Sequence, residues 1–60
     1  MKVTVYFKGP DTSGDTIFHN ASEACVTEHG DTLNIRNTQD GKPILTRIPV
    51  GNISHWTVET

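Results

Sequence analysis

The sequence predicts an all-β protein: a single small antiparallel meander of five or six short strands, forming a curled sheet or a small barrel, as one domain over residues 1–60. Three observations carry this. Apolar and polar residues alternate in several short runs, which is the pattern of half-buried strands. Turn-forming residues recur roughly every 8 to 12 positions, the spacing of a small sandwich or barrel. No run carries a convincing helical signature.

The elements follow in order. From Met1 to Lys8, Val3, Val5 and Phe7 point one way and Lys2, Thr4, Tyr6 and Lys8 the other. The flanking lysines suit an edge strand, where charge discourages pairing with another chain. Gly9 to Asp15 is rich in Gly, Pro, Asp and Ser and reads as a loop, the longest irregular stretch and the one expected to be most mobile. Thr16 to Asn20 is a short strand anchored by Phe18. Ala21 to Glu28 reads as a strand, with Ala24 and Val26 on one face and Glu23, Cys25 and Thr27 on the other. The alternative is a helical turn at Ala21–Ala24 capped by Asn20, but the β-branched Val26 and Thr27 oppose its extension.

Glu28-His29-Gly30-Asp31 forms a turn, and Leu33 and Ile35 alternate with polar neighbours. Asn37 to Lys42 makes the next connection, where Asp40-Gly41 between two alternating runs is a strong hairpin signal. Pro43 cannot donate to a ladder, so it starts its strand or faces solvent. Ile44, Thr46 and Ile48 share a face, Pro49 ends the strand and Val50-Gly51-Asn52 turns. In the last run Ser54, Trp56 and Val58 alternate with Ile53, His55 and Thr57. Trp56 is the largest apolar group, and its burial is expected to dominate the core. The expected core is Val3, Val5, Phe7, Phe18, Ala24, Val26, Leu33, Ile35, Ile44, Ile48, Trp56 and Val58.

Sixty residues make one domain at most, and a chain this short buries only about 60% of the surface it exposes when unfolded. With one cysteine, Cys25, it has no intrachain disulfide, and a lone thiol suits a reducing compartment. The N-terminus alternates instead of forming an apolar leader, and no run approaches the ~20 apolar residues needed to span a bilayer. A cytoplasmic location without a membrane is expected. The sequons at Asn20 and Asn52 then carry no glycosylation meaning.

Net charge is −2. Neither a basic excess nor a basic stripe is present, which weighs against a phosphate-backbone partner. His19, Cys25 and His29 lie close in sequence with His55 further on, but their spacing matches no zinc motif. On a strand, Cys25 and His29 stand roughly 13 Å apart. Cys25 as a nucleophile requires a nearby base and a lowered pKa. The acids Asp15, Glu23, Glu28 and Asp31 show no diagnostic spacing, and Gly9 to Gly14 lacks the lysine and helix of a phosphate loop. No catalytic residue, metal ligand or cofactor is assigned, and no enzyme activity is expected.

Two surfaces remain. Ile17, Cys25, Leu45 and Ile53 fall opposite the expected core and would form an apolar patch for a protein partner or for self-association. Tyr6, Arg36 and Arg47, with Lys8, could line an outer face on which nucleic-acid bases stack. The run Leu45-Thr46-Arg47-Ile48-Pro49-Val50-Gly51-Asn52-Ile53, followed by Trp56 and Val58, resembles small all-β proteins of unassigned function from bacteria and their phages. Bacterial domains similar to pleckstrin-homology domains share an Ile-Pro…Ile step but are longer and end in a helix. The resemblance covers the C-terminal half and implies no site residues. It implies a phage or prophage accessory protein that binds a host or virion protein. A protein-interaction module is therefore the leading expectation, and a small-barrel nucleic-acid binder the alternative.

Overall fold

A computed structural model describes residues 1–9 and 15–60. The loop expected over Gly9 to Asp15 lies, at residues 10–14, outside the described residues. Among the described residues there are six strands: β1 (Lys2–Phe7), β2 (Thr16–Phe18), β3 (Ala21–Val26), β4 (Thr32–Gln39), β5 (Lys42–Pro49) and β6 (Ile53–Glu59), with one 3₁₀ turn at Val50–Asn52 between β5 and β6. The helical alternative at Ala21–Ala24 is not adopted; those residues belong to β3.

The strands form two antiparallel sheets of three, ordered β2-β1-β6 and β3-β4-β5. The second sheet is a meander, but the expected single meander of all the strands is corrected: the first sheet is joined by β6 returning to β1. In the first, β1 lies in the middle, so the edge position read from its lysines is corrected. The chain's two ends supply the reason: β6 returns to pair with β1 along its length, from Lys2↔Glu59 to Tyr6↔His55. The sheets are not closed into a barrel. They are stitched at one corner, where the Ala21 N–H donates to the Met1 carbonyl at 2.9 Å.

Local chemistry places the turns. Asp40 (φ 53°) and Gly41 (φ 77°) both take positive φ between the paired Gln39 and Lys42, the type I′ geometry whose twist matches the flanking strands. Asn20 (φ 57°) stands between β2 and β3. Asn tolerates this left-handed region better than most residues, and the chain passes there from the first sheet to the second.

Both sheets contribute to one core: Val3, Val5 and Ile53 from the first, Ala21, Leu33, Ile35 and Ile48 from the second. Phe7, Phe18, Ala24 and Trp56 are half-buried against it, and Ile44 is half-buried on β5. Trp56 thus flanks the core and does not dominate it; the fully buried side chains are Leu33, Ile35, Val3 and Val5. Val26 (38% exposed) and Val58 (45% exposed) are not core residues. They have the expected parity, but each stands on a strand at the edge of its sheet, where one flank is left to solvent.

Two bulges account for the residues that entered the core unexpectedly. Tyr6 pairs with His55 while Phe7 pairs with Ile53, so Ser54 is an extra residue on β6. A one-residue insertion flips the face of everything beyond it, and Ile53 turns inward to 4% exposure. On β3, Ala21 pairs with Asn37 and Glu23 with Arg36, leaving Ser22 extra and turning Ala21 inward in the same way.

Candidate binding cleft

The residues singled out from sequence do not assemble on one surface. Ile17, on β2, projects from the outer face of the first sheet and is 51% exposed. Its partner across the strands is Thr4, which has the parity opposite to buried Val3 and Val5. Cys25 and Leu45 lie on the outer face of the second sheet, beside Asn34 and Arg36. Ile53 is in the core. A single apolar patch of these four is therefore corrected: the bulge at Ser54 removes one member, and the two-sheet architecture divides the rest.

The basic and aromatic set is divided as well. Tyr6 stacks on His55 with ring centroids 4.4 Å apart and planes 13° apart, on the outside of the first sheet. Arg36 and Arg47 project from the outside of the second. Arg36 pairs with Glu23 at 3.0 Å, which offsets its charge locally. Lys8 continues from β1 and its N–H donates to the Asn52 carbonyl.

Cys25 is exposed, and its Sγ lies 3.3 Å from Glu23 Oε1. The hydrogen bond to that carboxylate, followed by partial desolvation and the carboxylate charge, raises the thiol pKa above its ordinary value, against a smaller opposing effect of Arg36. A thiol that donates to a carboxylate is held in its protonated form, the reverse of nucleophile activation. Among the described residues no three His, Cys, Asp or Glu side chains converge in a way that could hold a metal ion. No helix among them is long and apolar enough to cross a membrane.

What the fold does assemble is a half-open cleft of about 440 Å³. One wall is β2 and the Asn20 corner. The other is the tip of the β4–β5 hairpin, from Asn37 to Asp40, with Ile44 and Thr46 on β5. Its apolar surface comes from Ile17, Phe18 and Ile44, and the remainder is amide, hydroxyl, carboxylate and the His19 imidazole. Asn37 is the most informative member. Leu33, Ile35 and Asn37 share the inward face of β4, so a polar amide stands where a third apolar residue would continue the core. Its Nδ2 donates to the His19 carbonyl at 3.4 Å, while its Oδ1 is buried with no hydrogen-bond partner. The break in the Leu33-Ile35 alternation was visible in the sequence and is the signal by which this residue could have been found. The cleft itself depends on the approach of β2 to the hairpin tip, which no local pattern encodes.

No protein-family model, curated protein or solved structure matches the chain.

Proposed function

We propose that this protein is a small interaction module that takes a segment of a protein partner into the cleft between β2 and the β4–β5 hairpin. The observation that carries the reading is the cleft itself, in which apolar side chains from both walls stand beside the Asn37 amide, whose Nδ2 is held by the His19 carbonyl. Half-buried Phe18 and Ile44, with exposed Ile17 at the margin, would meet that segment's side chains. Apolar walls with a few convergent polar groups are the usual make-up of a recognition site. A partner of phage or host origin and a cytoplasmic setting belong to the same proposal; they rest on the C-terminal resemblance and the lone thiol.

The test is affinity capture from lysate with nuclease present, followed by the same capture with two variants. Ile17→Asp alters an exposed side chain and is expected to leave folding intact. Asn37→Leu replaces the amide, whose oxygen has no partner, by an apolar group of similar size, which is expected to raise the melting temperature slightly. A protein captured by the wild type and lost with both variants supports the cleft. A protein captured equally by all three places recognition elsewhere. Material that disappears with nuclease supports the nucleic-acid alternative, and phosphate contacts would then show as a steep loss of binding with salt.

A further inference from the structure

The free edge of β6 is the second surface that the fold leaves open. In an antiparallel ladder, residues alternate between those bonded to a given neighbour and those whose N–H and C=O point away from it. Met1 exchanges bonds with Ala21 on the β2–β3 side, and Lys8 donates to Asn52 on the β6 side. The even residues of β1 therefore bond β6, through Thr4↔Thr57 and Lys2↔Glu59. It follows that Trp56 and Val58 direct their backbone groups outward, away from β1, where the first sheet ends.

Among the described residues, the other edges are short, guarded or occupied in part. β2 has 3 residues. On β5, the Asp40-Gly41 turn makes Gln39↔Lys42 a bonded pair, so Pro43 and Pro49 occupy positions facing the free edge. Both remove an N–H where a docking strand would need one. On β3, the start of the edge is taken by Met1. β6 has 7 residues, with neither proline nor lysine among them, and it presents Val58 at 45% exposure.

We infer that β6 pairs antiparallel with β6 of a second copy of this chain, about a two-fold axis at Thr57, joining the two first sheets into one continuous sheet. The occupant is identified by self-complementarity in this register. Trp56 falls opposite Val58 of the second copy, and the reverse, as pairs that exchange both backbone bonds; their side chains meet on the inner face, an aromatic against a β-branched residue. Thr57 meets its own counterpart on the outer face. His55 falls opposite Glu59, a nitrogen donor facing a carboxylate. His55 Nδ1 already lies 3.2 Å from the Ser54 hydroxyl, so Nε2 is the nitrogen that would meet the carboxylate. Aromatic with β-branched, Thr with Thr, and donor or cation with carboxylate are the favourable cross-strand pairings. The alternative registers that keep outward groups together lose this set: one places Trp56 against Trp56 and Ser54 against Val58, another His55 against His55, and a third Val58 against Val58 and Thr57 against Glu59, which leaves Trp56 beyond the end of the partner strand.

The edge and the cleft are separate surfaces, so failure of either reading leaves the other standing. The test is sedimentation velocity over a concentration series, together with disulfide trapping. In a Cys25→Ser background, Thr57→Cys brings two thiols together at a non-bonded pair, where Cα separations near 4.5 Å fall within disulfide reach. Mild oxidation is expected to give a covalent dimer, whereas Thr4→Cys, on the same face but on the central strand, is not. Thr57→Lys sets like charges across the axis on a solvated face and is expected to yield monomer with an unchanged melting curve at low concentration. Val58→Lys, an inward-pointing edge charge, is expected to do the same. A wild type that remains monomeric at every concentration overturns the inference. So does a dimer that persists in Thr57→Lys, or one trapped as readily through Thr4→Cys.

Discussion

Single residues divide into those whose environment follows from alternation and those whose environment does not. Leu33 and Ile35 are fully buried at the centre of β4, flanked by a strand on each side. Leu33→Ala is expected to cost about 2–5 kcal/mol; for a domain at the low end of ordinary stability, roughly 5 kcal/mol, that largely removes the fold. Val58→Ala, on an exposed edge, is expected to stay within about 1 kcal/mol. Thermal denaturation of the two variants side by side checks the order, and equal losses would show that β6 is more buried than described. Cys25 gives a chemical prediction. Its pKa is raised by the Glu23 carboxylate, so less thiolate is present at a given pH than for an ordinary exposed cysteine. Alkylation is expected to be slow near pH 8 and to accelerate as pH rises through the raised value. Glu23→Ala removes the acceptor and the negative charge and leaves Arg36 nearby, so the rate-against-pH curve shifts to lower pH. A curve that does not move would show that the Sγ–Oε1 contact is absent in solution.

Elements are set by turn chemistry and by bulges, and these differ in how visible they are. Gly41 is required by its φ of +77° alone, because a Cβ built there meets nothing within 4 Å. Gly41→Val is therefore expected to cost about 1–2 kcal/mol of left-handed backbone strain, with no steric addition. A denaturant titration reads this directly, and a neutral result would mean that the hairpin relaxes to another turn. Asp-Gly announced this turn from sequence. Nothing announced Ser22 and Ser54 as bulge residues. Each is a small polar residue in an alternating run, and the extra position becomes apparent only when the partner strand fixes what stands opposite. That is why Ile53 reads as exposed from its own strand and is buried in the fold, and why Ala21 was passed over. By contrast Val3, Val5, Leu33, Ile35 and Ile48 were legible, because they lie on strands whose alternation runs unbroken to the site of burial.

At the scale of the whole molecule, the first and last strands of the chain lie side by side, so the first sheet forms only when the ends meet, a non-local closure that slows folding relative to the local β3-β4-β5 meander. The small surface ion pair that accompanies it, Lys2 to Glu59 at 3.0 Å, is exposed on both sides and contributes less than about 1 kcal/mol. If β6 pairs between copies, binding is linked to folding, and the melting temperature is expected to rise with protein concentration. Thr57→Lys should remove that dependence. A melting temperature independent of concentration in the wild type would argue for a monomer in solution.

The sequence by itself determined the class of structure, the number of strands to within one, the positions of the described turns and most of the central core, because alternation, proline placement and Asp-Gly chemistry act over a few neighbouring residues. Tertiary structure alone decided which strand lies at an edge, which residues the bulges turn inward, and that the side-chain oxygens of Asn34 and Asn37 are left without partners. These depend on what stands opposite, and the lysines of β1 illustrate it: they read as guards of an exposed edge, yet the return of β6 made that strand the centre of its sheet. The cleft at Asn37 lies where the two sheets part, and the open edge at Val58 lies where the pairing of the first sheet ends.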